Sequence, residues 1–334
     1  MTTTVEAFKK ILNFEESDRY PIMEWASWWD KTIAKWENQG LPANMSQFET
    51  MEYFGLDLHY QDWIRPISPT CRPPESYGAG IIKSADDYYD NVLPKLFNFP
   101  LVDNDWKTVD PVKWEKFATD HESGKAAVWF SVDGFFWLPR RLFGIENHMF
   151  AFYDNPEIMH DINKRNVDWI VKIVDEICTY CVPEFMTFAE DMSYNNGMMI
   201  GKNLFDEFML PYYQEVIPHI KSKGIKVIID SDGDVTEGSK WFTEAGIDGI
   251  LPLERQAGVD LTELRKINPE QLYIGHFDKM VMDKGEEAMR TEFERLMPTV
   301  KQGGYIISCD HQTPPNVSLE DYKLYVKLLR EYTN

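Results

Sequence analysis

Asp230, Asp232, Glu254 and Cys309 are the residues of this chain whose types and spacing best suit a bound cation. Asp230-Ser-Asp232 sets two carboxylates one residue apart, and side chains at i and i+2 leave a strand on one face. Glu254 closes the next apolar run and Cys309 closes the last, Tyr305-Ile-Ile-Ser-Cys309. Carboxylates and a thiolate aimed at one point form a tetrahedral Zn²⁺ site with one position left for water or substrate. The same residues have plainer uses: Asp232-Gly-Asp234 ahead of a helix can be an N-cap, and a single cysteine can fill a core.

His276 and His311 stand at neighbouring strand tips, where each can be a ligand or an acid-base group. Glu190 and Asp191 end the run Phe185-Met-Thr-Phe-Ala, with Tyr194 in the same turn. Paired carboxyls push each other's pKa apart, so that one serves as base while the other keeps its proton. Adjacent residues on a strand also face opposite ways, which would leave one in the mouth and the other bonded to backbone. Aromatic side chains crowd the first strand ends; Trp25, Trp28, Tyr60 and Phe136, with Tyr194, are candidate walls of a slot for a flat apolar ligand.

Eight apolar runs must position these groups: 21–25, 58–63, 126–132, 185–191, 226–230, 247–254, 272–277 and 305–309. Helical patterns fall at 4–13, 27–39, 156–180, 202–222, 235–245, 260–267, 284–303 and 318–332. Strands alternating with helices predict a parallel α/β fold, and eight of them a closed (α/β)8 TIM-type barrel spanning residues 1–334 as one domain. An N-terminal extension precedes it, and long Pro-, Trp- and Phe-rich connections at 65–82 and 93–123 belong to its first half. Chemistry in such barrels sits at the carboxyl ends of the strands.

A net charge of -21 argues against nucleic acid, an anionic membrane surface or a polyanionic substrate as partner. No apolar window reaches membrane-spanning length and the first residues lack signal-peptide character, so a cytoplasmic location is expected. The oligomeric state is left open, and a homodimer is admitted. Four cysteines make no disulfide framework, and Cys178-x-x-Cys181 has no second pair to complete a zinc site.

The segments Leu12-Asn-Phe-Glu-Glu-Ser-Asp18-Arg19-Tyr-Pro21 and Tyr53-Phe-Gly-Leu-Asp57, and the run from Glu190-Asp-Met through Gly224 to Asp321-Tyr322, resemble the uroporphyrinogen decarboxylase superfamily. Decarboxylases of that superfamily carry Arg-Gln-Ala-Gly-Arg after the first strand to hold substrate carboxylates. Here the stretch reads Glu24-Trp-Ala-Ser-Trp-Trp-Asp30, an acidic and aromatic lining. The resemblance is greater to the corrinoid-dependent methyltransferases, and within them to the methyltransferase I components of anaerobic aryl-ether O-demethylases. Their relatives hold zinc with His-x-Cys, Glu and Cys, at positions matched here by Asp230, Asp232, Glu254 and Cys309. The oxygen-rich set implies a harder site, suited to an oxygen-bearing substrate. His276 or His311 would then replace one carboxylate.

What the resemblance implies is zinc-assisted transfer of methyl from an aryl ether such as vanillate, veratrol or guaiacol to Co(I) corrinoid. No Asp-x-His-x-x-Gly corrinoid motif occurs, so the corrinoid is expected on a separate carrier protein. The alternatives are decarboxylation of a smaller acid and a non-catalytic ligand-binding barrel.

Overall fold

The computed structural model describes residues 2–98 and 107–333. Seven parallel strands form one sheet in the order β1 (Leu58–Ile64), β2 (Ala126–Asp133), β3 (Phe185–Ala189), β6 (Lys226–Ser231), β7 (Gly249–Pro252), β8 (Leu272–Phe277) and β9 (Tyr305–Cys309). A two-stranded antiparallel hairpin, β4 (Ser193–Tyr194) with β5 (Gly197–Met198), interrupts the numbering. Helices follow the strands, and the architecture is the TIM-type barrel that the strand and helix rhythm predicts.

The eighth staff of the barrel is not a laddered strand. Residues 21–25 run extended between β1 and β9, but side chains make most of their bonds. Ile22 receives Asp57 N–H at its carbonyl and donates its own N–H to Asp57 Oδ2, each at 2.8 Å. Trp25 N–H donates to Ser308 Oγ at 3.0 Å, and Glu24 Oε1 accepts from Ser308 Oγ and Cys309 N. Side chains close the ring where a ladder would.

Burial splits the strands into two faces. Ala127, Trp129, Phe185, Ile228, Leu251, Leu272, Ile274 and Ile306 share an inner core with Phe8, Ile11 and Leu12. Helix Thr4–Leu12, started by a Thr3/Glu6 capping box, therefore plugs the lower end. The alternate residues pack outward against the helices in a larger core. Other boundaries shift for local reasons. The helix predicted at 202–222 is two, Lys202–Phe208 and Leu210–Ser222, broken just ahead of Pro211. The supposed long connection at 93–123 contains helix Pro111–Glu122, with Asp110 accepting Val112 N–H and Pro111 at its first position. Residues 99–106 of that stretch lie outside the described residues.

Candidate active site

Alternation along β6 fixes the site. Val227 and Ile229 face the helices and Ile228 faces the barrel axis, so Asp230 turns inward at the mouth. The chain then bends at Gly233, whose φ of 84° and close approach to the Ser193 and Tyr194 backbone leave no room for a Cβ. That bend brings Gly233 N–H to Glu254 Oε2 at 2.9 Å. Asp232, Glu254 and His311 consequently offer donor atoms that all lie within 4.8 Å of one another. His311 Nε2 is 3.6 Å from Asp232 Oδ2, and the edge of Trp25 meets its ring at a centroid distance of 6.2 Å. Trp25 is fixed in turn by donating its indole N–H to the Cys309 carbonyl at 2.8 Å.

Lys279 and Asp310 buttress the group. Lys279 Nζ stands 4.0 Å from Glu254 and 3.2 Å from Asp310, while Asp310 accepts the backbone N–H of Arg255 and of Lys279. Asp310 thus ties the loops after β7 and β8 to β9. Asp191 has a left-handed φ of 29°, with its carbonyl held by Arg140 and its Oδ1 by Asp232 N–H. A non-glycine residue held there stores strain at the mouth.

Charge crowding sets the electrostatics. Burial, then the neighbouring Asp191 and Asp232, pushes the Asp230 carboxyl well above the ordinary range. Burial, then Asp232, raises Asp191 to about 6. The Asp232 carboxylate, facing the His311 N–H as its acceptor, raises His311, so the imidazole holds its proton more firmly than a free one.

Several predicted site residues lie elsewhere. Cys309 follows Tyr305 and Ile307 onto the outer face, fully buried, and is not a ligand to anything in the mouth. Burial and the nearby Glu24 push its thiol well up, away from the thiolate a metal requires. His276 is buried beneath the helices, with Nδ1 on the Leu253 carbonyl at 2.8 Å and Nε2 facing Leu261 N–H and Arg295. Desolvation lowers it to about 4, a satisfied structural histidine rather than a catalytic one. Glu190 turns outward and accepts the backbone N–H of Phe135, Phe136 and Trp137 and the Tyr213 hydroxyl, which excludes it from the mouth. Of the Glu190/Asp191 pair, one bonds backbone and the other reaches the mouth.

Three of the supposed wall residues also belong to the outer core. Tyr60 stacks on Phe117 at 4.4 Å, Trp28 packs among Trp36, Phe54 and Tyr322, and Phe136 meets His148. None of them can touch a ligand in the barrel. Trp25 remains at the mouth, and Tyr194 sits on the exposed hairpin whose carbonyl accepts Asp234 N–H. Arg140, on the Asp191 carbonyl, and Lys279, beside Glu254, reach the site without having been singled out in the sequence.

A parallel barrel whose mouth gathers carboxylates around one imidazole defines a class of metal-competent α/β barrels. Residues 124–332 match the uroporphyrinogen decarboxylase (URO-D) family, and the chain belongs to it. It is 23% identical over 186 residues to the uroporphyrinogen decarboxylase of Francisella philomiragia subsp. philomiragia, covering 54% of this chain and 52% of that one. The chain thus spans about half the length of that curated relative. Among solved structures it is similar to a methyltransferase from Methanosarcina mazei, with a TM-score of 0.65 at 10% identity over 99% of both chains. At that identity the likeness is one of fold. Among the described residues, no helix is long and apolar enough to cross a membrane.

Proposed function

We propose that this protein is a methyltransferase that removes the methyl group of an aryl methyl ether and passes it to the Co(I) corrinoid of a partner protein. The observation that carries this reading is the convergence of Asp232, Glu254 and His311 at the mouth. Two carboxylates and the His311 imidazole, which gives up its proton when the ion binds, supply two negative charges, which match a divalent ion, and leave a coordination position open. Donor atoms on a tetrahedral Zn²⁺ ion stand about 3.3 Å apart, so side-chain rotations close the present spacing. Asp230, crowded by Asp191 and Asp232, stands beside the three rather than among them. When bound, zinc supplies Lewis acidity at the ether oxygen, where phenolate charge develops as the carbon leaves.

The chain's own residues do the positioning. Trp25 flanks His311, and Trp63, on the inner face of the adjoining β1 and 43% exposed, presents a second indole at the rim. A flat ring between them is held with its ether oxygen toward the triad. Asp310 and Lys279 hold the Glu254 loop against movement.

The test is methylation of chemically reduced cob(I)alamin by methoxyarenes under anaerobic conditions, with zinc content measured in parallel. Methylcobalamin formation that disappears with zinc on chelation, and returns on adding zinc back, supports the reading. Turnover by metal-free protein rejects the metal assignment. Membership of the URO-D family favours a second reading, decarboxylation of a small acid, which would release CO₂ from metal-free protein with no methylcobalamin.

A further inference from the structure

Asp232 reaches the mouth on backbone that no ladder holds. β6 ends at Ser231, and the next two residues are caught by side chains instead. Asp232 N–H donates to Asp191 Oδ1 at 3.2 Å, the Asp232 carbonyl accepts from Ser193 Oγ, and Gly233 N–H donates to Glu254 Oε2 at 2.9 Å. Asp191 and Ser193 follow β3, the neighbour of β6, so the tail of one strand grips the tail of the next. Asp191 is the strained member of that grip. Its φ of 29° is a backbone conformation that side chains disfavour, and such a conformation persists only where the surroundings impose it.

Arg140 is placed to impose it. Its Nη1 donates to the Asp191 carbonyl at 3.1 Å and also faces Met199 Sδ at 3.6 Å, while the guanidinium lies over the Trp137 and Phe136 rings at 5.1 and 6.0 Å. Among the described residues Arg140 pairs with no carboxylate, so the Asp191 carbonyl is its principal polar partner. From the other side, Asp191 N–H and Glu190 N–H share the Asp230 carbonyl at 3.4 and 2.9 Å. Asp191 is thereby held at both its amide and its carbonyl. Helix Trp137–Phe143, which carries Arg140, is itself anchored where Glu190 accepts the Trp137 N–H, so the guanidinium stands on a fixed base. From this geometry we infer that Arg140 is a positioning residue for the metal centre: it locks Asp191 in its left-handed turn, Asp191 fixes the Asp232 backbone, and Asp232 is thereby aimed at His311. The inference rests on the metal reading and adds to it a residue that touches neither ion nor substrate. Residues that support ligands in this way change metal affinity by about 10- to 100-fold.

Zinc affinity, measured by competition with a chromogenic chelator, and the visible d–d spectrum of the Co²⁺-substituted protein provide the test. Arg140→Met is expected to weaken zinc binding by roughly tenfold or more and to alter the cobalt bands. Arg140→Lys, which returns one donor to the Asp191 carbonyl, is expected to recover most of both. Asp191→Gly is the second variant, because glycine adopts the left-handed turn without strain but removes the acceptor of Asp232 N–H. It should fold as the parent does and lose zinc as Arg140→Met does. Parent-like affinity and cobalt spectrum in Arg140→Met or in Asp191→Gly overturn the clamp and leave the metal centre standing, as does a loss in Arg140→Met that Arg140→Lys fails to relieve. A parent protein that binds neither ion rejects the metal centre, and the role of Arg140 with it.

Discussion

At the scale of single residues, His311, Asp232 and Cys309 separate metal binding from packing. Replacing Asp232 or His311 with Ala is expected to lower bound zinc from stoichiometric to less than a tenth while the far-ultraviolet circular dichroism stays unchanged, since both side chains are only partly buried. Cys309→Ala is expected to keep its zinc and its turnover and to lose about 1 kcal/mol of stability to the small cavity left in the outer core. Loss of zinc in Cys309→Ala would overturn the assignment. Glu190 is the reverse case. Four donors converge on its buried carboxylate, so Glu190→Ala leaves three backbone N–H groups unsatisfied and is expected to cost about 3 kcal/mol or more, measured by urea unfolding. A Glu190→Ala protein as stable as the parent would show that water replaces the carboxylate.

Elements place these residues, and one turn does more than its length suggests. Gly134 passes so close to Glu190 that a Cβ would run into the carboxylate, and the following amides wrap around it to start helix Trp137–Phe143. That helix carries Arg140, whose guanidinium donates to the Asp191 carbonyl. Gly134→Ala is therefore expected to lower the melting temperature by several degrees, read by thermal unfolding. A parent-like melting temperature would show that the turn and the carboxylate move apart at no cost. The strand and helix rhythm of the second half was legible because Gly, Pro and charge punctuate each apolar run. Facing was not. Parallel strands are covered on both sides, so Tyr305, Ile307 and Cys309 look no different in sequence from Ile306 and Ser308, and Tyr60 looks like a wall residue. Asp232, Glu254 and His311 were readable because they stand beyond the ends of their strands, where that ambiguity lapses. Helix Gln47–Phe54 had its signal in the Ser46/Glu49 capping box but lay in aromatic-rich sequence that reads as connection.

For the whole molecule, the buried titratable groups set the response to pH. His59, His148 and His276 are lowered by desolvation to about 4, about 3 and about 4. Lying below their unfolded value, they contribute stability that is present above about pH 6.5 and lost as pH falls toward 4. Glu24, Glu190 and Asp191 are raised by burial to about 7, about 7 and about 6, and contribute stability present at low pH and lost as pH rises through those values. The two sets oppose each other between about pH 4.5 and 6, and the histidines act alone between about pH 4.5 and 3, His148 being the last to charge. The melting temperature is thus expected to be nearly flat across the first interval and to fall steeply below it. A steep fall already between pH 6.5 and 5 would contradict this balance.

The ring closed by Glu24, Asp57 and Ser308 side chains has a mechanical consequence. A ladder opens only as a row, but individual clasps come undone one at a time, so the seam flanking residues 21–25 is where the staves would part first. Amide deuterium uptake should consequently be faster for Ile22 and Trp25 than for the interior of β2 and β3, and Glu24→Gln should quicken it further at the seam alone. A breathing seam beside Trp25 would give the mouth a compliant wall in an otherwise rigid rim.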